Sequence, residues 1–261
     1  MGTQKPNLED LMIKEVKSGD FSLERALLIA SGLTDEKQID EYIKKIDTLQ
    51  EGFNKYYSTL PKVEIFKKTQ IAEALFKYLW ETKPNRYDSN FLLTDVIDAQ
   101  LSYDSNFLLT DVIDAQLSQD KDQKVGDCLG LTSLYTVLGL RNGLDLSVLY
   151  NDEHILSTLH DGWEIHIENT ERNGFDTDPS NHPYLKKGNL IYLVAGTFHN
   201  ISYSNLELEN PKKAIENCNI AIKLMPYFAK AYHHRCIAND MLGNLKDADN
   251  DLNKCKDLTS K

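Results

Sequence analysis

The last quarter of the chain repeats itself at a period of 34 residues. Between residues 198 and 258 the pairs are Phe198/Tyr232, Ser202/Cys236, Leu208/Leu242, Ala214/Ala248, Ala221/Cys255 and Leu224/Leu258. Small residues recur where helices must approach closely, and Pro226 separates the two units. A period of this length marks stacked helical units, each too small to bury its own apolar face. Two units bury too little to stand alone, so they must pack on the rest of the chain. Tyr232, Leu242, Ala248 and Leu258 are expected in one shared core.

A second repeat has a different character. The sixteen residues "YDSNFLLTDVIDAQLS" occur at 87–102 and again at 103–118, identical at every position. Each copy is a helix candidate, with Asp88 and Ser89 as caps and Leu92, Val96 and Ala99 along one stripe. Sixteen residues at about 100° each leave the second stripe rotated by roughly 160° from the first, so one continuous helix cannot present both. A break is expected near Ser102–Ser105. One copy should fill a packing position and the other be accommodated as an extra helix or loop. Asp95, Asp98, Asp111 and Asp114 read as a solvated helix face.

Residues 8 to about 83 read as helices. "FSLERALLIASGL" offers a serine cap and a closing glycine, and Ile39, Tyr42, Ile43 and Ile46 form an amphipathic stripe. "QIAEALFKYLW" continues the pattern until Pro84. After the doubled stretch, "CLGLTSLYTVLGLR" is an apolar helix ended by Asn142–Gly143. "LSVLY", "EHILSTL" and "WEIHIE" then read as a three-stranded antiparallel meander. Three segments follow: a helical region 1–84, a central part 85–182 and helical repeats 183–261.

Composition excludes several function classes. The net charge of −11 argues against a nucleic-acid partner. No apolar run is long enough to span a membrane. The first twenty residues hold no apolar block, so no secretory signal is expected and the cytoplasm is the expected compartment. The four cysteines, Cys128, Cys218, Cys236 and Cys255, form no C-x-x-C pair, so no zinc site or other metal or cofactor is expected and the thiols should be free.

Cys128 follows "VGD" and opens the apolar helix. A thiol there meets the positive end of the helix dipole, which lowers its pKa. It still needs a base and a group to orient that base. His154 lies on the middle strand. If residues 160–162 close the hairpin, His154 faces Glu168; a two-residue loop puts Asn169 opposite it instead. The spacing of six between His154, His160 and His166 fits no metal-ligand pattern. Cys218, Cys236 and Cys255 fall on repeat positions suited to core packing, and Trp163 is expected beneath the meander.

The order helix-opening Cys, strand with His, strand ending in "IENT" resembles transglutaminase-like, papain-type cores, where that last place holds an acid. "GDCLGLTSLYTVLGLRNGL", "LERALLIASGL…IDEYIKKID" and the terminal repeats are similar to the SirB1-like branch of these proteins. "AKAYHHRCIANDMLGNLKDADNDLNKCKDL" resembles a tetratricopeptide repeat, with Cys236 where glycine is usual. The resemblance implies an α+β fold with a papain-like core. It implies Cys128 as nucleophile, His154 as general base and Glu168 as orienting acid, with Asn169 as the alternative third residue. It further implies thiol-dependent hydrolysis or transamidation of an amide in a peptide or protein substrate. The alternative is a non-catalytic interaction module that binds a protein partner through its repeats.

Overall fold

The structure, a computed structural model, describes residues 7–62, 67–87, 107–151, 153–181 and 184–260. The chain divides into two compact units: residues 1–34 with 191–261, and residues 35–190. The expected 1–84 region is thus shared between them. Residues up to Thr34 pack with the C-terminal helices, and residues from Asp35 belong with the sheet.

In the first unit, helix α1 (Leu8–Ser18) is capped by Asn7 and stopped by Gly19 at φ 79°, a left-handed conformation that glycine adopts without a Cβ penalty. Helix α2 (Leu23–Ala30) begins at Ser22, whose hydroxyl accepts from the Arg25 N–H at 3.3 Å. The C-terminal helices are α7 (Ile191–Glu207), α8 (Pro211–Leu224), α9 (Ala229–Met241) and α10 (Leu245–Thr259). They form consecutive hairpins, with α2 packed on α7 and α1 on α8. The 34-residue period is visible in the turns. The Asn210 N–H donates to the Asn205 carbonyl at 2.8 Å, and the Asn244 N–H donates to the Asn239 carbonyl at the same distance. Both turns pass through a left-handed residue, Glu209 at φ 52° and Gly243 at φ 74°. Ala214 and Ala248 are both buried. The expected shared core is smaller than the period suggested. Leu242 is 38% exposed, Leu258 is half-buried, and Tyr232 donates its hydroxyl to the Pro226 carbonyl. Helix α10 packs chiefly on α9. The buried charge in the hairpin is paired: Arg235 donates Nε and Nη2 to Asp251 at 2.9 and 2.6 Å.

The second unit holds α3 (Glu36–Ser58), α4 (Lys67–Trp80), α5 (Leu109–Leu117) and α6 (Cys128–Arg141). Its sheet comprises β1 (Leu146–Tyr150), β2 (Ile155–His160), β3 (Glu164–Ile167) and β4 (Lys186–Gly188), antiparallel in the order β3-β2-β1-β4. Helix α6 is apolar all round, and every residue from Leu129 to Gly139 is buried, so it forms the centre of the unit. It lies on β1 and β2, with α4 and α5 also against it. The Thr132 hydroxyl donates to the Ile155 carbonyl at 3.3 Å, and Tyr135 donates to the Ala72 carbonyl at 3.0 Å.

The described part of the doubled stretch is Tyr87 and residues 107–118; the rest of the first copy, and the break expected near Ser102–Ser105, lie outside the described residues. Helix α5 comes from the second copy and buries Leu109, Val112 and Ile113. Asp114 is not simply solvated: it accepts from Lys45 at 2.6 Å and from Tyr42 at 2.9 Å. The chain on either side of the stretch is clamped together. Lys83 donates to the carbonyls of Ser118 and Asp120, Lys124 donates to the Tyr87 carbonyl, and Tyr87 bridges Gly126.

The expected α+β class with a papain-like core is corrected by these elements. Among the described residues there are ten α-helices against one sheet of four short strands, so the protein is mainly helical. The three strands β1 to β3 were legible, but they are only four to six residues long, and among the described residues the sheet gains only the three-residue β4. Trp163 is also misplaced by the sequence reading. It is 48% exposed in the turn between β2 and β3 rather than buried under the sheet.

Candidate functional site

Cys128 is the first residue of α6, capped by Asp127, whose carboxylate accepts from the Gly130 N–H at 2.8 Å. His154 immediately precedes β2. Asn151 sets its backbone: its side-chain oxygen accepts from the N–H groups of Glu153 and His154 at 2.8 and 2.7 Å, and its own N–H donates to the His154 carbonyl. Glu168 immediately follows β3. Its carboxylate meets His154 Nε2 through Oε2, and Oε1 accepts from the Thr170 N–H and hydroxyl at 3.0 and 2.5 Å.

The register explains why His154 and Glu168 meet. His160 pairs with Glu164 and Thr158 with His166, so the connecting loop is residues 161–163. This is two residues away from the register in which His154 directly opposes Glu168. A shift of two leaves every side chain on its original face, so the pair becomes diagonal instead of opposite, still within reach of long side chains. The one-residue shift that would bring Asn169 to His154 does not occur. Asn169 is fully buried elsewhere: its Oδ1 accepts from Trp80 Nε1 at 3.1 Å, and its amide donates to the Ser157 hydroxyl at 3.1 Å. His160 and His166 are not part of the cluster. His160 Nε2 contacts the Ser147 hydroxyl at 2.7 Å, and His166 lies near Thr158.

Electrostatics divide the three groups. Burial raises the pKa of Glu168, but the His154 hydrogen bond and charge and the two Thr170 hydrogen bonds outweigh it, and the carboxyl lies below its ordinary value. Cys128 goes the other way. The residue is half-buried, but its thiol is enclosed, and burial pushes its pKa well up, with the Asp127 charge adding to this and Glu168 contributing less. Hydrogen bonding to the backbone at Ile155 and Leu129 acts in the opposite direction and does not compensate. The expectation of a thiol acidified by the helix start is therefore corrected: enclosure of the sulfur, with the charge of the capping carboxylate, holds the thiol above its ordinary pKa. The Ile155 contact also locates the sulfur beside the residue that follows His154.

Sequence reasoning missed several supports. Gly174 lies so close to the backbone of Glu168 that an added Cβ would meet the Glu168 carbonyl oxygen at 1.8 Å. The Glu168 N–H donates to the Gly174 carbonyl at 2.6 Å. Arg86, 1% exposed, lies over the rings of Trp80 and Phe76 at 5.2 and 5.6 Å. Burial pulls its pKa down to about 10 against the opposing Glu168 charge, which leaves it cationic at neutral pH. No pattern in "KPNRYDS" marks Arg86 as internal, whereas Thr170 was visible in "IENT". Among the described residues, no group of three or more His, Cys, Asp or Glu side chains is arranged to hold a metal ion, and no helix is long and apolar enough to cross a membrane.

No protein-family model matches the chain, and no curated protein matches it. A solved structure described as the crystal structure of menin, revealing the binding site for Mixed Lineage Leukemia (MLL) protein, aligns over 97% of this chain and 66% of that one, at 11% identity and a TM-score of 0.39. The chain therefore spans just under two thirds of that protein's length.

Proposed function

We propose that Cys128, His154 and Glu168 perform thiol-dependent acyl transfer on an amide of a peptide or protein. The observation that carries this reading is the buried contact between His154 Nε2 and the Glu168 carboxylate, at the start of the strand whose backbone reaches the Cys128 sulfur. The carboxylate holds the imidazole through Nε2, and Nδ1 is the atom assigned to take the thiol proton. Because the resting thiol is protonated, deprotonation accompanies attack. The proton moves from sulfur to His154, sulfur bonds to the substrate carbonyl carbon, and the backbone N–H groups at the start of α6 stabilise the oxyanion. His154 then returns the proton to the departing amine as the C–N bond breaks. Water or a second amine takes the acyl group from sulfur, giving hydrolysis or transamidation. The motif "GDCLGLTSLY" and its resemblance to transglutaminase-like sequences support the same roles.

The test is labelling with an electrophilic thiol probe at pH 6–7, with the modified residue mapped by mass spectrometry. Cys128 should react ahead of Cys218, Cys236 and Cys255, and His154→Ala should slow it more than His160→Ala or His166→Ala. Equal labelling of all four, unaffected by His154→Ala, refutes the assignment.

A second reading is favoured by the raised thiol and by exposed apolar side chains around the last hairpin. Met241 and Leu245 are 45% and 64% exposed, beside the part-exposed Ile237 and Leu242. In that reading the chain is a non-catalytic module that binds a protein partner through its helical hairpins.

A further inference from the structure

The cysteine and the acid of the proposed site lie on segments far apart in sequence, and Arg86 touches both. Its carbonyl accepts from the Val125 and Gly126 N–H groups at 2.8 and 3.2 Å, in the run that leads into Cys128. Its guanidinium donates through Nε to the Asn169 carbonyl at 2.7 Å and through Nη2 to the Glu171 carbonyl, in the turn that follows Glu168. The two acceptors lie one and three residues beyond the acid. That same turn is closed by the Glu171 N–H donating to the Glu168 carbonyl at 3.3 Å. Trp80 holds the segment from the other side through Asn169 and provides the ring on which the guanidinium lies.

We propose, resting on the triad reading above, that Arg86 is a positioning residue that fixes the separation between the Cys128 helix start and the Glu168 turn. Several features distinguish this role from simple packing. An apolar side chain would fill the space beside Trp80 and Phe76 without the desolvation that a buried guanidinium suffers. Two donors in a rigid planar fork are needed to hold two carbonyls of one turn, a geometry that lysine cannot reproduce. The Glu168 charge in turn acts against the burial that lowers the pKa of the guanidinium. Arg86 immediately precedes the doubled stretch, and the segments it ties lie outside the first copy. The clamp is therefore the same whether one copy or two are present.

The test is a double-mutant cycle on the full chain, reading the rate and pH profile of Cys128 alkylation by iodoacetamide, with thermal melting as the control for folding. Arg86→Lys should fold and alkylate roughly tenfold more slowly at neutral pH, the size typical of losing a group that orients a functional side chain. Arg86→Met should be slower still. In a Glu168→Gln background the Arg86→Lys change should have less than about a twofold effect, because the group it positions is already gone. Alkylation of Arg86→Lys at the parent rate and profile overturns the proposal. So does an equal slowing in both backgrounds, or a failure of both Arg86 variants to fold, which would assign the residue to stability alone. Unchanged alkylation in His154→Ala removes the triad reading and this proposal with it. A slowed His154→Ala beside an unaffected Arg86→Lys removes this proposal alone.

Discussion

Gly174→Ala is the perturbation whose consequence follows most directly from the structure. The added methyl group would sit 1.8 Å from the Glu168 carbonyl oxygen, 2.8 Å from its carbon and 3.0 Å from the Glu171 carbonyl oxygen. All three are backbone atoms, so no side chain can swing aside. Reaching ordinary contact requires the two backbone segments to part by about 1.6 Å. That opening breaks the Glu168–Gly174 hydrogen bond, which makes the bridge between Ile167 and Phe175, and the neighbouring bond from the Thr177 N–H to the His166 carbonyl. Two lost backbone bonds at about 1 kcal/mol each, with roughly 1–2 kcal/mol of residual strain, give a destabilisation of about 3–4 kcal/mol. For a chain of this size that is a fall in melting temperature of about 6–16 °C. Glu168 is displaced with the strand, so Cys128 labelling should fall together with stability, below the melting transition as well as through it. Calorimetry and probe labelling at 20 °C check both. A variant that melts and labels like the parent refutes the close approach and the link from this loop to the site.

Glu209 holds a left-handed conformation that Gly243 adopts at the matching turn, so Glu209→Gly should raise stability by about 1 kcal/mol, read as a higher denaturant midpoint. His199 and His234 stack at 4.3 Å in the first unit, and burial above all, with neighbouring His and Lys charges, lowers their pKa values to about 3 and about 4. Folded values below the ordinary 6.5 mean that the unfolded state takes up protons first. Their contribution is therefore complete above pH 6.5 and is lost as pH falls towards 4, by up to about 2 kcal/mol each at pH 5. Denaturation at pH 7.5 and pH 5 should show the loss, and His199→Phe should reduce it; equal stability at both pH values contradicts this. Deleting residues 87–102 leaves the same sequence as deleting 103–118, and the Lys83 and Lys124 clamps remain, so the shortened protein should fold and keep Cys128 labelling. Loss of either shows that both copies are required.

The sequence made the ends of elements legible wherever a side chain performs the local chemistry. Ser22 and Asn142 each stand at a helix boundary that their residue types announce. The meander followed from alternating apolar residues, but β4 did not, because "KKG" is short, polar and recognisable only by its pairing with β1. The His154–Glu168 meeting was anticipated from a register two residues in error, and it survives because the side-chain period is also two. The thiol's raised pKa was hidden because a sequence shows the helix start and not the enclosure of the sulfur. The overall balance of helix to sheet was misread for a similar reason. A motif of a few residues around Cys128 carries information about local order and none about how much of the remaining chain is sheet.

The most direct measurement of the central claim is acylation of the intact protein by p-nitrophenyl acetate, followed by intact mass and peptide mapping. The account predicts one acetyl group on Cys128 as a thioester, formed at least tenfold more slowly in His154→Ala and absent in Cys128→Ala. Acylation spread over other residues, or a thioester at Cys128 that forms as fast without His154, would contradict it.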